Sequence, residues 1–224
     1  MEVCLFSTPA PGSSYTSVVD ACREILKGRT DVNIVCLPQA MLTSEQWLHE
    51  AKRQFRNVAP IEVVNTETME STEMEAALRR AALVHIPDGN AYLLNHRLQT
   101  SHIAAHMSRK ILNGLPVVAC GAGAVVCGPN ILTTTDLNMV PTMHFNGLGV
   151  TPFNIHAGYM DNAEHDNWLG EYHSFHDNPV ILLEDGASIR ISGKTTSLRT
   201  SAGWILRPGQ EKRALKLGEP ISLT

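Results

Sequence analysis

Short apolar runs punctuate the first half of the chain, separated by longer stretches in which apolar residues return every three or four positions. The runs Glu2 to Phe6, Val32 to Leu37, Ile61 to Val64 and Ala82 to Ile86 predict strands. Between them, Tyr15 to Lys27 carries Val18, Val19, Cys22, Ile25 and Leu26 at helical spacing, after a PAPGSS turn. Ser44 to Phe55 and Glu70 to Arg80 predict two more helices, the first opened by Ser44 as an N-cap. A long helical region from about Leu93 to Leu112 closes on Asn113-Gly114, ahead of another apolar run at Leu115 to Ala119. Strands alternating with helices in this way predict an α/β fold with a mostly parallel sheet and helices on both faces. Ligands in such sheets bind at the C-terminal strand ends.

From Gly147 onward the pattern changes. Segments become short and strand-like, divided by turns such as Glu184-Asp185-Gly186 and Arg207-Pro208-Gly209, which predicts antiparallel strands finishing the sheet. No internal repeat or low-complexity linker interrupts the chain, and residues 1–224 read as one domain.

The stretch that organises the rest is Leu115 to Asp136, LPVVACGAGAVVCGPNILTTTD. A strand runs into five small residues, Cys120 to Ala124, and a second apolar segment starts at once. That is the arrangement of a nucleophile elbow, in which a sharp strand-to-helix corner aims one side chain at the site while backbone N–H groups face the same point. In that register Ala119 and Gly123 are the flanks and Gly121 holds the nucleophile position, where it supplies no oxygen or sulfur.

The run ACGAGAVVCGPNILTTTDLNMV resembles the elbow of the peptidase E family, the aspartyl dipeptidase group of serine peptidases that also includes cyanophycinases. There the equivalent run carries Ser-Ala-Gly-Ala and a Thr-rich segment ending in Asp. PDGNAYLL at Pro87 to Leu94 is similar to the family's Gly-rich loop, and GLGVTPFNIH at Gly147 to His156 to its histidine segment. LLEDGASIRISG and SAGWILRPG extend the likeness over nearly the whole chain. The resemblance implies a class I glutamine-amidotransferase-like fold and acyl transfer at a Ser-His-Asp triad. It places His156 as general base, Asp136 as its orienter, and the N–H groups of Gly89 and Ala122 as the oxyanion hole. From the residues alone, His156 also reads as a structural histidine and Asp136 as a turn cap. Asn90, Glu171 and His173 fall at positions for substrate contact.

Two departures accompany the likeness. Pro87-Asp88 stands where the family has glycines, and no arginine occurs between Arg109 and Arg190 to take a substrate carboxylate as a bidentate partner, so aspartate specificity does not carry over. Gly121 leaves three readings open: a Ser-to-Gly form engineered from an active hydrolase, a natural pseudoenzyme that binds small peptides or other ligands, or a thiol hydrolase using Cys120. The substrate class under the hydrolase readings is short peptides or aminoacyl conjugates. Ser201-Ala202-Gly203 repeats the elbow's letters, but the strand WIL follows it, which predicts a turn.

Composition narrows this picture. Apolar residues make up 43% and charged residues 18% of 224 positions, ordinary globular values. A net charge of -4 without a basic patch argues against a nucleic-acid partner. Cys4, Cys22, Cys36, Cys120 and Cys127 form an odd set without CxxC spacing, which predicts free thiols in a reducing cytoplasm. MEVCLFSTPAP lacks a basic n-region and reads as no signal peptide, and no apolar run approaches a membrane span. A homodimer is compatible with the sequence. The segment from His156 to Asp177, rich in His, Asp and Glu, shows no metal-binding spacing and predicts a solvated loop, with no metal and no organic cofactor.

Overall fold

The computed structural model describes residues 1–8, 15–41 and 44–223; the predicted PAPGSS turn and the side chains of residues 44–48 and 50 lie outside the described residues. Two sheets organise them. The first contains β1 (Glu2–Phe6), β2 (Asn33–Cys36), β3 (Ile61–Val63), β4 (Ala81–Ile86), β5 (Val117–Cys120), β8 (Ser188–Ser192) and β9 (Thr195–Thr200), in the order β3-β2-β4-β5-β1-β8-β9. The five strands from β3 to β1 pair in parallel, and β8 and β9 add antiparallel strands at one edge. The second sheet, β11-β10-β7-β6, is built from β6 (Asn154–Ala157), β7 (Val180–Leu183), β10 (Gly203–Leu206) and β11 (Arg213–Ala214).

The alternation of side chains along each strand sorts the core. Cys4, Phe6, Ile34, Leu83, Val118 and Cys120 face α1 (Thr16–Ile25) and α2 (Ser44–Phe55), packing with Val18, Val19, Cys22, Leu26 and Phe55. Val3, Leu5, Val35, Val84, Ile86, Val117 and Ala119 face the other way. There they meet α3 (Ser71–Arg80), α4 (Ala91–Thr100), α5 (Ala104–Leu112), α6 (Ala122–Val126) and the inner face of the second sheet, through Ile155, Ile181, Leu183 and Ile205. Helices therefore cover both faces of a mostly parallel sheet, as the alternation predicts.

Three predictions need correction. The helical region 93–112 is two helices, broken after Ser101, which carries the α4 C-cap; His102 has φ +60°. The last third does not merely finish the first sheet: β6 and β7 pair in parallel and start a second one. The His- and acid-rich segment is not a loop throughout, because α7 (Ala163–His173) connects β6 to β7. Asn162 caps it by accepting from the His165 N–H at 3.0 Å, and the helix buries only Leu169 and Tyr172.

Candidate functional site

The C-terminal ends of β1, β4, β5 and β6 meet at one edge. Ser7, just past β1, accepts a hydrogen bond from the Gly158 N–H at 2.7 Å and donates to the Leu183 carbonyl at 3.0 Å, tying the ends of β6 and β7 to β1. At the centre, β5 turns into α6 at Gly121, whose φ of +46° and ψ of -115° lie in a region that L side chains rarely adopt. The Gly121 N–H donates to the Phe6 carbonyl at 2.9 Å, and the Gly121 carbonyl accepts from the Val125 N–H at 3.0 Å, so one residue belongs to both sheet and helix. Gly123 is required for the same corner, because a Cβ there would lie 2.3 Å from the Ile86 carbonyl oxygen.

The loop after β4 supplies the other wall. Gly89 has φ +150°, and a Cβ there would meet the Ala40 carbonyl oxygen at 2.3 Å. The neighbouring Asn90 N–H donates to that same carbonyl at 2.8 Å. Asn90 is the α4 N-cap: its side chain accepts from the Leu93 N–H at 2.9 Å and donates to the Leu137 carbonyl at 2.9 Å. Both ends of its amide are committed to structure.

The structure brings the N–H groups of Gly89 and Ala122 to one point, and Asp88 occupies it. One carboxylate oxygen accepts from the Gly89 N–H at 2.7 Å and from the Ala122 N–H at 2.8 Å. The Thr8 side chain also hydrogen-bonds this carboxylate. Burial raises the Asp88 pKa above the ordinary carboxylate value; the two N–H groups and Thr8 pull it down, and the charge of nearby Asp136 pushes it up again. The side chain had registered in the sequence only as a departure from a glycine-rich loop; its place in the N–H pair is set by three-dimensional packing.

His156 lies on β6, fully buried. Its Nδ1 meets the Thr133 carbonyl at 2.7 Å, and its Nε2 meets Nδ1 of His165 at 3.0 Å. A carbonyl only accepts, so the proton sits on Nδ1 and Nε2 carries a lone pair, facing a His165 Nδ1 that also lies 3.5 Å from the Met160 backbone N. Burial lowers its pKa to about 4, partly offset by the Thr133 contact and reinforced by His165. Asp136 is not among its hydrogen-bond partners. The Asp136 carboxylate instead accepts from the Ala91 N–H at 2.6 Å, at the start of α4. The orienter's place beside His156 is thus held by a neutral carbonyl, which fixes the tautomer but lends little support to an imidazolium. The resemblance had named Asp136, the last member of the Thr-Thr-Thr-Asp run, as the residue orienting the ring; the structure gives that contact to the backbone of Thr133, the first.

Glu171 and His173 are placed elsewhere. Between them, Tyr172 hydrogen-bonds Asn130 and Asn154, the first residue of β6, whereas His165 near the start of α7 reaches His156 close to the end of that strand. Glu171 and His173 therefore sit at the far end of α7 from the strand ends. His173 Nδ1 meets the His176 carbonyl at 3.0 Å, and Glu171 is exposed.

Cys120 projects from the opposite face of β5, toward α1 and α2, and is fully buried. Its Sγ lies 3.5 Å from the Tyr15 hydroxyl, which lies 2.6 Å from Nε2 of His85. Burial pushes the thiol pKa far above its usual value. A thiolate nucleophile needs access and a lowered pKa, so this geometry removes the reading in which Cys120 acts as one. Among the described residues no group of three or more His, Cys, Asp and Glu side chains is arranged to hold a metal ion, and no helix is long and apolar enough to cross a membrane.

Comparison with known proteins agrees with this fold. The chain is 31% identical to an α-aspartyl dipeptidase, so described, of Drosophila melanogaster, over 56% of each sequence. It is 27% identical to peptidase E of Streptomyces coelicolor, covering 66% of this chain and 64% of that protein. The chain thus spans less than two thirds of the length of these two relatives. Peptidase E of Salmonella typhi aligns at 25% identity over 97% of this chain and 99% of its own. Among solved structures, a peptidase from an acI-B1 Actinobacterium superposes with a TM-score of 0.73 at 15% identity, covering 99% of this chain and 96% of the other. A protein of Listeria monocytogenes described as a peptidase E gives the same TM-score at 18% identity over 89% of this chain and 98% of its own. Residues 6–199 match the sequence pattern of peptidase family S51, and the chain belongs to that family.

Proposed function

We propose that this chain binds short peptides or aminoacyl conjugates at the strand ends around Gly121 and releases them uncleaved, the pseudoenzyme reading of the elbow. Membership of a peptidase family supports the ligand class. The observation that carries the reading is Gly121 itself: the corner has the geometry that would present a nucleophile, yet offers no atom to attack a carbonyl, and Cys120 faces away. His156 adds to it. Buried, held by a carbonyl and titrating at about 4, it is a poor base near neutral pH.

Hydrolysis by a serine-type triad remains the second reading, supported by the family and by the dipeptidase and peptidase E names of the relatives. In it His156 would serve as base, Asp136 as a charge at the edge of the site, and Gly89 and Ala122 as the oxyanion hole, once position 121 carried a hydroxyl. A panel of dipeptide amides, run on this chain and on the Gly121→Ser, Asp88→Ala double variant, separates the two, because only the triad reading expects turnover once position 121 carries a hydroxyl and the N–H pair is free. This chain is expected to bind at least one of them saturably, by calorimetry, while producing no amine above the buffer rate. Turnover by this chain refutes the non-hydrolytic reading, and absence of binding across the panel refutes the ligand class.

A further inference from the structure

The position of Asp88 has a second aspect beyond its two hydrogen bonds. A Cβ built on Gly121 would stand 1.8 Å from one Asp88 carboxylate oxygen, 2.1 Å from its Cγ and 2.4 Å from the other oxygen. The carboxylate therefore lies in the volume that any side chain at 121 would claim. It also uses both N–H groups that a ligand carbonyl would need there. A lone aspartate turned toward a glycine would fill space; this one fills space and satisfies two converging donors, with Thr8 as a third contact.

We infer that Asp88 is the resident occupant of the Gly89 and Ala122 N–H pair, matched to the absence of a side chain at Gly121, and that a ligand oxygen reaches the pair only when Asp88 leaves it. The inference rests on the strand-end site proposed above. A charged acceptor makes stronger hydrogen bonds than a neutral carbonyl, and a tethered group competes at a high effective concentration. Asp88 is thus a specificity-determining residue of negative sign: a peptide bound beside it is held by other contacts, and its carbonyl is not polarised by these N–H groups. Two consequences follow. A serine placed at 121 alone would collide with Asp88 and compete with it for the same volume. Opening the site requires a change at 88 as well.

Two measurements on the whole chain test this without any peptide. In the first, acetate is titrated into ¹⁵N-labelled wild type, Asp88→Asn and Asp88→Ala. The amide signals of Gly89 and Ala122 are expected to shift saturably only in Asp88→Ala, where the free carboxylate replaces the lost one. Equal acetate response in wild type, or silence of both amides in Asp88→Ala, overturns the occupant role. In the second, Gly121→Ala is made in the wild-type and in the Asp88→Ala backgrounds. Backbone strain at φ +46° is common to both arms and cancels in the cycle. The melting temperature is expected to fall by at least about 3 °C less when Asp88 is absent. Equal falls overturn the steric match. A chain that passes both tests but binds no dipeptide amide loses the proposed function while the Asp88 assignment stands.

Discussion

Two buried imidazoles make the stability of this chain acid-sensitive in a window that most carboxylates do not touch. His85 and His156 are both fully buried and both held near a pKa of about 4, against an ordinary value of 6.5, with burial the largest cause in each. The unfolded chain therefore takes up protons between pH 6.5 and 4 that the folded chain refuses, and stability falls as pH falls through that range. Worked from those values, acidification from pH 7 to 5 costs about 2 kcal/mol per histidine, roughly 4 kcal/mol for the pair. Glu2 and Asp166, whose carboxyls are lowered, lose their contribution only at more acid pH. Asp88, raised by burial, works in the opposite sense, because acidification relieves the cost of keeping it charged. Urea unfolding of wild type, His85→Gln and His156→Gln at pH 7, 6 and 5 measures this. Each variant is expected to lose about half of the pH-dependent part whatever its stability at pH 7. A wild type equally stable at pH 7 and 5, or variants that fall as steeply as wild type, would refute the reasoning.

Gly123→Ala places a methyl against the Ile86 carbonyl, a backbone atom that cannot turn aside, and is expected to cost at least about 3 kcal/mol in urea unfolding; wild-type stability would show that the corner relaxes. Iodoacetamide should leave Cys120 unmodified in native buffer and alkylate it fully in guanidinium, as read by peptide mass spectrometry. Native-state labelling at the rate of an exposed cysteine would contradict its burial.

The parallel half of the fold was legible because its strands are covered on both faces and so appear as unbroken apolar runs. VVAC and its neighbours could hardly be read otherwise. The split between α4 and α5 was not legible, since the apolar spacing carries across Ser101 and His102 and only the backbone reversal at His102 shows the break. The helix α7 hid in AEHDNWLGEYH because only two of its side chains are buried; the usable signal was Asn162, a competent N-cap three residues ahead of His165. At the site, the small residues around Gly121 disclosed the corner. The partner of His156 could not be read from spacing, because a backbone carbonyl leaves no letter in the sequence. Neither could the fit of Asp88 to Gly121, which links positions 33 residues apart through a volume that exists only after folding.

The placement of β1 carries a consequence for how the chain is made. This strand lies between β5 and β8, with Val3 opposite Val117 on one side and Glu2 opposite Ser192 on the other. Translation delivers β1 long before either neighbour. Until residues 188–192 leave the ribosome, one edge of β1 has unpaired backbone groups, flanked by the apolar side chains of Val3 and Leu5. Chain growth must therefore shelter a central strand for most of synthesis. A polypeptide that stops short of residue 188 leaves that edge open to other nascent chains, so premature termination is a route to aggregation rather than to a smaller folded protein.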